Sequence, residues 1–198
     1  MESKFKVSIT TVFVPLFAAL ISVSGFIAVP LPGTPVPIVL QNMMPILAAG
    51  LLGGLHGTAA TAIFLFAGII GLPVFSGGRG GIAHLLGPTG GFLAGYLAAA
   101  AILILFFKKP SQKDLHKNSS SKKAFLIKTV AASFLGFSVI YILGIPRFMY
   151  VTKRSFQEAF VLACLPYLLG DFLKMILTSF LIYKLRPVSA KYISANSN

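Results

Sequence analysis

Apolar segments of about twenty residues recur along this chain and constrain its fold more than any other feature. A helix of roughly 20 apolar residues is long enough to cross the ~30 Å hydrocarbon core of a bilayer. Hydrophobic residues make up 56% of the 198 residues and charged residues only 11%, whereas a soluble domain typically carries about 25% charge. We therefore predict an all-α membrane protein that forms a single integral membrane domain, 1–198.

Six segments are predicted to span the bilayer, separated by stretches rich in proline, glycine or lysine. They lie at 7–29, 38–52, 55–70, 90–107, 124–145 and 156–185. Small residues recur at four-residue spacing within several spans, as in Gly50 and Gly54 or Gly91 and Gly95. Such faces let helices approach closely in lipid, so we predict internal packing, with docking to another membrane protein as the alternative.

The net charge of +13 is arranged as a topology signal rather than as a nucleic-acid-binding surface. Twelve of the 17 Lys and Arg residues lie at the two chain ends or in one connection. The connection and its edge contain Lys108, Lys109, Lys113, Lys117, Lys122, Lys123 and Lys128. Six spans put this connection and both termini on one side, and positive loops remain in the cytoplasm. We predict a multi-pass cell-membrane protein with cytoplasmic ends and no nucleic-acid partner.

Two charged residues, Asp171 and Lys174, interrupt the sixth predicted span within the stretch YLLGDFLKMI. Asp171 lies about 22 Å along a helix that starts at Phe156, so both charges are well inside the bilayer. Their i, i+3 spacing places them on one helix face, close enough to pair. The pair either fixes packing or lines a ligand path, as intramembrane charges commonly do. Pro166 predicts a kink near Leu162, which favours a pocket beside this helix.

Two other polar features are candidates for ligand contact. In the run GGRGG at 77–81, the backbone amides of Gly77 and Gly78 are able to approach a ligand closely, and Arg79 is able to bind a carboxylate. The alternative is a flexible extracellular turn. Gln41 follows a proline-rich loop and either bonds across helices or contacts a ligand.

Catalytic and metal-binding patterns are absent from the sequence. The single cysteine and three histidines have no metal-ligand spacing, and no HExxH, GxSxG or paired carboxylates occur. An intramembrane enzyme built on Asp171 and Lys174 would lack a nucleophile, a second acid or a metal. We predict no catalytic residue, no metal and no cofactor.

Four stretches, taken together, resemble one known family. They are PVPIVLQ at 35–41, GLPVFSGGRGG at 71–81, LLGPTGGFLAGY at 85–96 and LPYLLGDFLK at 165–174. In this order they are similar to the BioY family, the biotin-binding S components of energy-coupling factor (ECF) transporters. The resemblance implies a six-helix S-component fold that captures biotin from outside. An S component for another vitamin or precursor is the alternative.

Within that resemblance, chemistry suggests a role for each candidate residue. Asp171 would accept hydrogen bonds from the ureido N–H groups of biotin, and Lys174 would donate to the ureido oxygen or hold Asp171. Arg79 would bind the carboxylate, and Tyr167 and Phe75 would pack on the rings.

The resemblance also implies partners, because the chain has no nucleotide-binding motif of its own. Transport by such proteins needs a coupling membrane subunit and two ATPases. S components often carry Ala-x-x-x-Ala on the first helix as a docking motif. The nearest match here is Ala18 to Ser22, which we predict to be the docking face.

Overall fold

Helices make up most of the described chain. The structure, a computed structural model, describes residues 12–111, residue 114 and residues 119–194. These residues contain eight α-helices: α1 (Val14–Ser24), α2 (Met44–Leu52), α3 (Gly54–Ile69), α4 (Ile82–Leu86), α5 (Gly90–Ile102), α6 (Ser119–Thr152), α7 (Phe156–Ala163) and α8 (Leu168–Ser194). Strands β1 (Ala28–Val29) and β2 (Ile38–Val39) form a short antiparallel hairpin.

Helix α2 is the most deeply buried element of the fold. Eight of its nine residues are buried, and it packs against α3, α5 and α8. The single residue Gly53 joins it to α3 with φ 92°, a conformation that glycine adopts without strain. A Cβ on Gly57 would lie 2.3 Å from the backbone of Ala49, and one on Gly50 would lie 2.4 Å from Ile182. These glycines therefore serve internal packing, as the sequence predicts.

Helices α5 and α6 also meet through glycines. A Cβ on Gly91 would come within 2.5 Å of the Leu143 carbonyl oxygen, and one on Gly95 within 2.8 Å of the Ile140 Cα. The small-residue face of α5 at Gly91 and Gly95 is therefore covered by α6 of the same chain. Because this face is already covered, it is not available to dock another protein.

Several predicted spans differ from the helices that form. The predicted second span, 38–52, starts in β2, continues as a 3₁₀ turn (Gln41–Met43) and ends as α2. At 1.5 Å per residue α2 is only about 14 Å long, so it does not cross the bilayer alone. The predicted third and fourth spans agree closely with α3 and α5. Residues 7–11 of the first span, with Lys4, Lys6, Lys113 and Lys117, lie outside the described residues.

Helix α6 extends beyond the predicted fifth span at both ends. Helix α6 begins before residue 124 and continues through Pro146 to Thr152. A proline inside a helix removes one backbone hydrogen bond, and neighbouring helices in a membrane protein help to tolerate that loss. Arg147 therefore lies inside the helix instead of in a loop, whereas Lys153 and Arg154 lie in the turn between α6 and α7.

Where the sequence predicts a kink near Leu162 in the sixth span, the structure has a complete break in the helix. Helix α7 ends at Ala163, a 3₁₀ turn (Leu165–Tyr167) containing Pro166 follows, and α8 begins at Leu168. Because proline has no N–H to donate, the helix is interrupted here. In the first turn of α8 that follows, Asp171 is buried at 6% exposure, whereas Leu169 faces outward.

The chain has the surface of a membrane protein. Among the described residues, two stretches are long and apolar enough to span a bilayer, Ser120–Thr152 and Phe156–Ile193, and three shorter apolar helices accompany them. Large apolar side chains face outward along these helices, including Leu169 at 75% and Ile127 at 70% exposure. An exposed apolar surface of this extent is typical of contact with lipid or another protein.

Candidate functional site

A cavity lies where the break between α7 and α8 faces α5, α6 and the β1–β2 hairpin. About 550 Å³ of space lies between its walls, part of it continuous with solvent. Its lining residues are Val36, Pro37, Val39, Asn42, Ser76, His84, Thr89, Phe92, Leu93, Tyr96, Ile140, Tyr141, Ala163, Tyr167, Asp171 and Lys174.

The carboxylate of Asp171 is the centre of a hydrogen-bond network in the cavity wall. Its Oδ1 accepts from Lys174 Nζ at 2.7 Å and from Asn42 Nδ2 at 3.0 Å. Its Oδ2 accepts from the Tyr141 hydroxyl at 2.6 Å. Lys174 Nζ also lies 3.3 Å from Asn42 Oδ1. Three elements, the 3₁₀ turn Gln41–Met43, α6 and α8, are therefore tied together at one carboxylate.

Both members of the ion pair are nearly buried. The side chain of Asp171 is 8% exposed and that of Lys174 is 12% exposed. Removing one partner of a buried pair typically costs about 3–5 kcal/mol, because the remaining charge is left uncompensated. The network is therefore a rigid part of the cavity whose members depend on each other.

The network leaves hydrogen-bonding capacity for a ligand. A carboxylate offers about four acceptor positions, and the network uses three of those on Asp171. An ammonium group has about three donors, and Lys174 uses two. One acceptor position on Asp171 and one donor on Lys174 remain, which matches a ligand that carries both an N–H and a carbonyl.

Aromatic side chains form the middle of the cavity. Tyr167 lies in the 3₁₀ turn before α8, is 5% exposed, and donates its hydroxyl hydrogen bond to the Val36 carbonyl. Phe92 and Tyr141 contact each other edge to face, with ring centroids 6.1 Å apart. This part of the wall is suited to an apolar ring.

The glycine-rich connection between α3 and α5 forms the other side of the cavity. His84 lies 3.3 Å from the Thr89 hydroxyl through its Nε2 and stacks on Phe75 at 5.4 Å. Burial and then the charge of Arg79 lower the pKa of His84 below its usual range, so the ring is neutral near pH 7. Arg79 itself is exposed and is not among the residues that line the cavity.

The structure brings three predicted ligand contacts together: Asp171, Lys174 and Tyr167. Phe75 lies elsewhere. It is fully buried between Phe64 and His84, and a Cβ on Gly68 would meet its ring at 2.1 Å. Phe75 therefore supports the ring of His84, and the prediction that it packs on the ligand is not supported.

Gln41, Gly77 and Gly78 are also outside the cavity wall. Gln41 is fully buried, and its Nε2 donates to the carbonyls of Ile21 and Val74 at 2.9 Å each. The amide of Gly77 donates to Gly25, and that of Gly78 donates to Phe75. Because these donors are already used, the three residues hold the loop in place, and the predicted ligand contacts by them are not supported.

The predicted docking face is also revised. Ala18 is 5% exposed and belongs to the hydrophobic core, where α1 packs chiefly on α3. Ser22 is half-buried and donates its hydroxyl to the Ala18 carbonyl at 2.8 Å. In this conformation only Ser22 of the pair reaches the outer surface of α1.

Four residues that line the cavity are not among the ligand contacts predicted from the sequence: Asn42, Tyr141, His84 and Thr89. The signal for Asn42 was present, because two consecutive amides, Gln41 and Asn42, follow the proline loop. Which of the two amides faces the cavity depends on how the 3₁₀ turn is rotated about its axis, and the sequence alone does not give that rotation. A buried tyrosine usually has a hydrogen-bond partner, but nothing in the sequence connects Tyr141 with Asp171, thirty positions away.

Metal binding has no support in the described part of the chain, where no group of three or more His, Cys, Asp or Glu side chains is placed to hold an ion.

Comparison with known proteins gives a consistent result. The model of the BioY family matches residues 1–191. The probable biotin transporter BioY of Lysinibacillus sphaericus is 32% identical over 188 residues, covering 91% of this chain and 88% of the relative. The biotin transporter BioY of Thermotoga maritima is 30% identical over 176 residues, covering 89% of this chain and 95% of the relative.

A solved structure shares the fold. It is the crystal structure of the S-component for biotin from an ECF-type ABC transporter, with a TM-score of 0.78, 30% identity and 94% of each chain covered. The matched proteins are transporters or a transporter component, in agreement with the prediction that this chain is not an enzyme.

Proposed function

The chain belongs to the BioY family, and from this membership we propose that it binds biotin as the S component of an ECF-type transporter. The observation that carries the proposal is the Asp171 network in the cavity wall. It combines a buried carboxylate with amide, ammonium and phenol groups that line one cavity.

The polar groups of this network suit the ureido ring of biotin. A cyclic urea presents two N–H donors beside one carbonyl acceptor. Asp171 has an acceptor position left for one N–H, and Lys174 has a donor left for the carbonyl. Hydrogen bonds to charged groups contribute about 1.5–3 kcal/mol each, so these two contacts would supply much of the selectivity.

The rest of the ligand fits the remainder of the cavity. The apolar thiophane ring would lie against Tyr167 and Phe92. The valerate chain would then extend toward His84 and Thr89, with its carboxylate near Arg79. A guanidinium binds a carboxylate in a bidentate manner, and Arg79 is exposed, so we assign it to the cavity mouth.

Three ligands test the proposal on the purified protein. Biotin should bind tightly by isothermal titration calorimetry. Lipoate, which has a sulfur ring and a valerate tail but no urea, should bind at least ~100-fold more weakly because it leaves the Asp171 network unpaired. Biotin amide should bind at an intermediate level.

Identification of co-purified small molecules by mass spectrometry is an independent test. If another vitamin is found and biotin does not bind, the ligand assignment is wrong while the family assignment remains. Equal affinity for lipoate and biotin would contradict the role of the Asp171 network.

The finer topology and the partners are part of the same proposal. We assign six membrane segments with both ends in the cytoplasm, supported by the lysine-rich 108–128 region and the positive-inside rule. A coupling membrane subunit and two ATPases would supply the energy. The docking surface would include the outer face of α1 around Ser22, since Ala18 is buried.

A further inference from the structure

A second cavity lies far from the Asp171 network, near the other end of α8. It is lined by residues 105–111 after α5, by Asp114, by the first turns of α6 and by Arg186. Fifteen helical residues separate Arg186 from Asp171, about 22 Å along the axis. The space is about 870 Å³, part of it open to solvent.

Positive charge dominates the walls of this cavity. Lys108, Lys109, Lys128 and Arg186 line it, and Asp114 is the one carboxylate among its described lining residues. Lys108 and Lys128 are exposed. An excess of cationic groups around one concave space favours an anionic ligand.

Arg186 makes the wall rigid. It is 4% exposed and donates to the carbonyls of Gly50 and Lys108. Its Nε is 3.5 Å from Asp114 Oδ2. By holding the backbone of Lys108 against α2 and α8, Arg186 fixes the position from which the Lys108 side chain extends.

One side of the cavity is apolar and continues onto an exposed apolar surface. Leu105 and Phe106 line it beside the lysines, and Leu105 is 81% exposed. A free phosphate ion would use only the cationic side. A phospholipid would use both, since its headgroup carries the phosphate and its acyl chains are apolar.

We propose that this cavity binds the headgroup of an anionic phospholipid, with Lys108 and Lys128 on the phosphate and the acyl chains along Leu105. Basic pockets at the ends of membrane helices bind anionic headgroups by the same combination of charge and apolar contact. The inference requires only that this end of α8 lies at a membrane surface. It depends on neither the biotin assignment nor the side of the membrane.

Native mass spectrometry of the purified full chain tests the proposal. The probes are phosphatidylglycerol, phosphatidylcholine with the same acyl chains, and glycerol phosphate. The test variant is Lys108→Gln/Lys128→Gln. The matched control, Lys184→Gln/Lys191→Gln, removes two exposed positive charges from the same end of α8 without touching the cavity.

We expect wild type and the control to bind phosphatidylglycerol equally, and the test variant to bind it about thirty-fold more weakly. Phosphatidylcholine should bind weakly to all three proteins.

Equal loss in both variants would show a general charge effect and overturn the site. Equal binding of both lipids to wild type would also overturn it. Binding of glycerol phosphate as tight as that of the lipid would replace the lipid by a soluble phosphate ester. An unchanged biotin affinity in the test variant would confirm that the two sites are separate.

Discussion

Replacing Asp171 by asparagine tests the proposed biotin site most directly. The change preserves shape and one acceptor oxygen but removes the charge that compensates Lys174, whose side chain is only 12% exposed. It also replaces one of the two carboxylate oxygens by an amide nitrogen. Together these two oxygens accept hydrogen bonds from Lys174, Asn42 and Tyr141. Asp171→Asn therefore perturbs both folding stability and ligand binding.

The stability effect follows from the unpaired ammonium. Breaking a buried ion pair costs about 3–5 kcal/mol, and Lys174 keeps a contact with Asn42 Oδ1 at 3.3 Å, so we expect the lower end, about 3 kcal/mol. For a chain of this length about 1 kcal/mol lowers Tm by about 2–4 °C. The expected decrease in Tm in detergent is therefore about 6–12 °C.

The binding effect has a different origin. Loss of a charge-assisted hydrogen bond to the ligand costs about 1.5–3 kcal/mol, which is roughly ten- to a hundred-fold in Kd. Isothermal titration with biotin measures this loss. A second variant, Asp171→Asn/Lys174→Met, removes both charges and should recover much of the Tm without recovering affinity.

Glu158→Gln is the matched control for the loss of a negative charge. Its side chain is 54% exposed and belongs to the capping box of α7, so a small decrease in Tm and an unchanged biotin affinity are expected. Wild-type affinity in Asp171→Asn would refute the ligand contact. Full recovery of affinity in the double variant would refute it too, because the loss would then come from the unpaired Lys174.

Three further predictions concern the cavity and the docking face. Tyr141→Phe removes the hydroxyl that donates to Asp171 at 2.6 Å and should weaken biotin binding by about ten-fold; an unchanged Kd by titration would mean that Asp171 is positioned without it. Arg79→Ala should weaken binding of biotin but hardly affect biotin amide, and equal losses for both ligands would exclude a carboxylate contact. Ser22→Trp should preserve biotin binding but reduce energised uptake with the coupling subunit and ATPases co-expressed, whereas Ala18→Trp should lower Tm because Ala18 is in the core. Normal uptake by Ser22→Trp would exclude this face from docking.

The sequence by itself determined the features that depend on local geometry and composition. The i, i+3 spacing of Asp171 and Lys174 places them on one helix face whatever surrounds the helix, and the structure has them 2.7 Å apart. Pro166 predicted a kink near Leu162 because its missing N–H acts within a single helix, and the helix is interrupted at this point. The apolar composition predicted the membrane class, and the four motifs together predicted the family.

Tertiary structure alone decided which other residues line the cavity. Gln41 and Asn42 are consecutive, yet the phase of one 3₁₀ turn directs Gln41 into the loop contacts and Asn42 to Asp171. Tyr141 joins the same carboxylate from another helix, and Ala18 faces the core instead of a partner. These outcomes depend on how each helix is rotated and packed against its neighbours. That rotation is a property of many distant contacts acting together, so no short stretch of sequence specifies it.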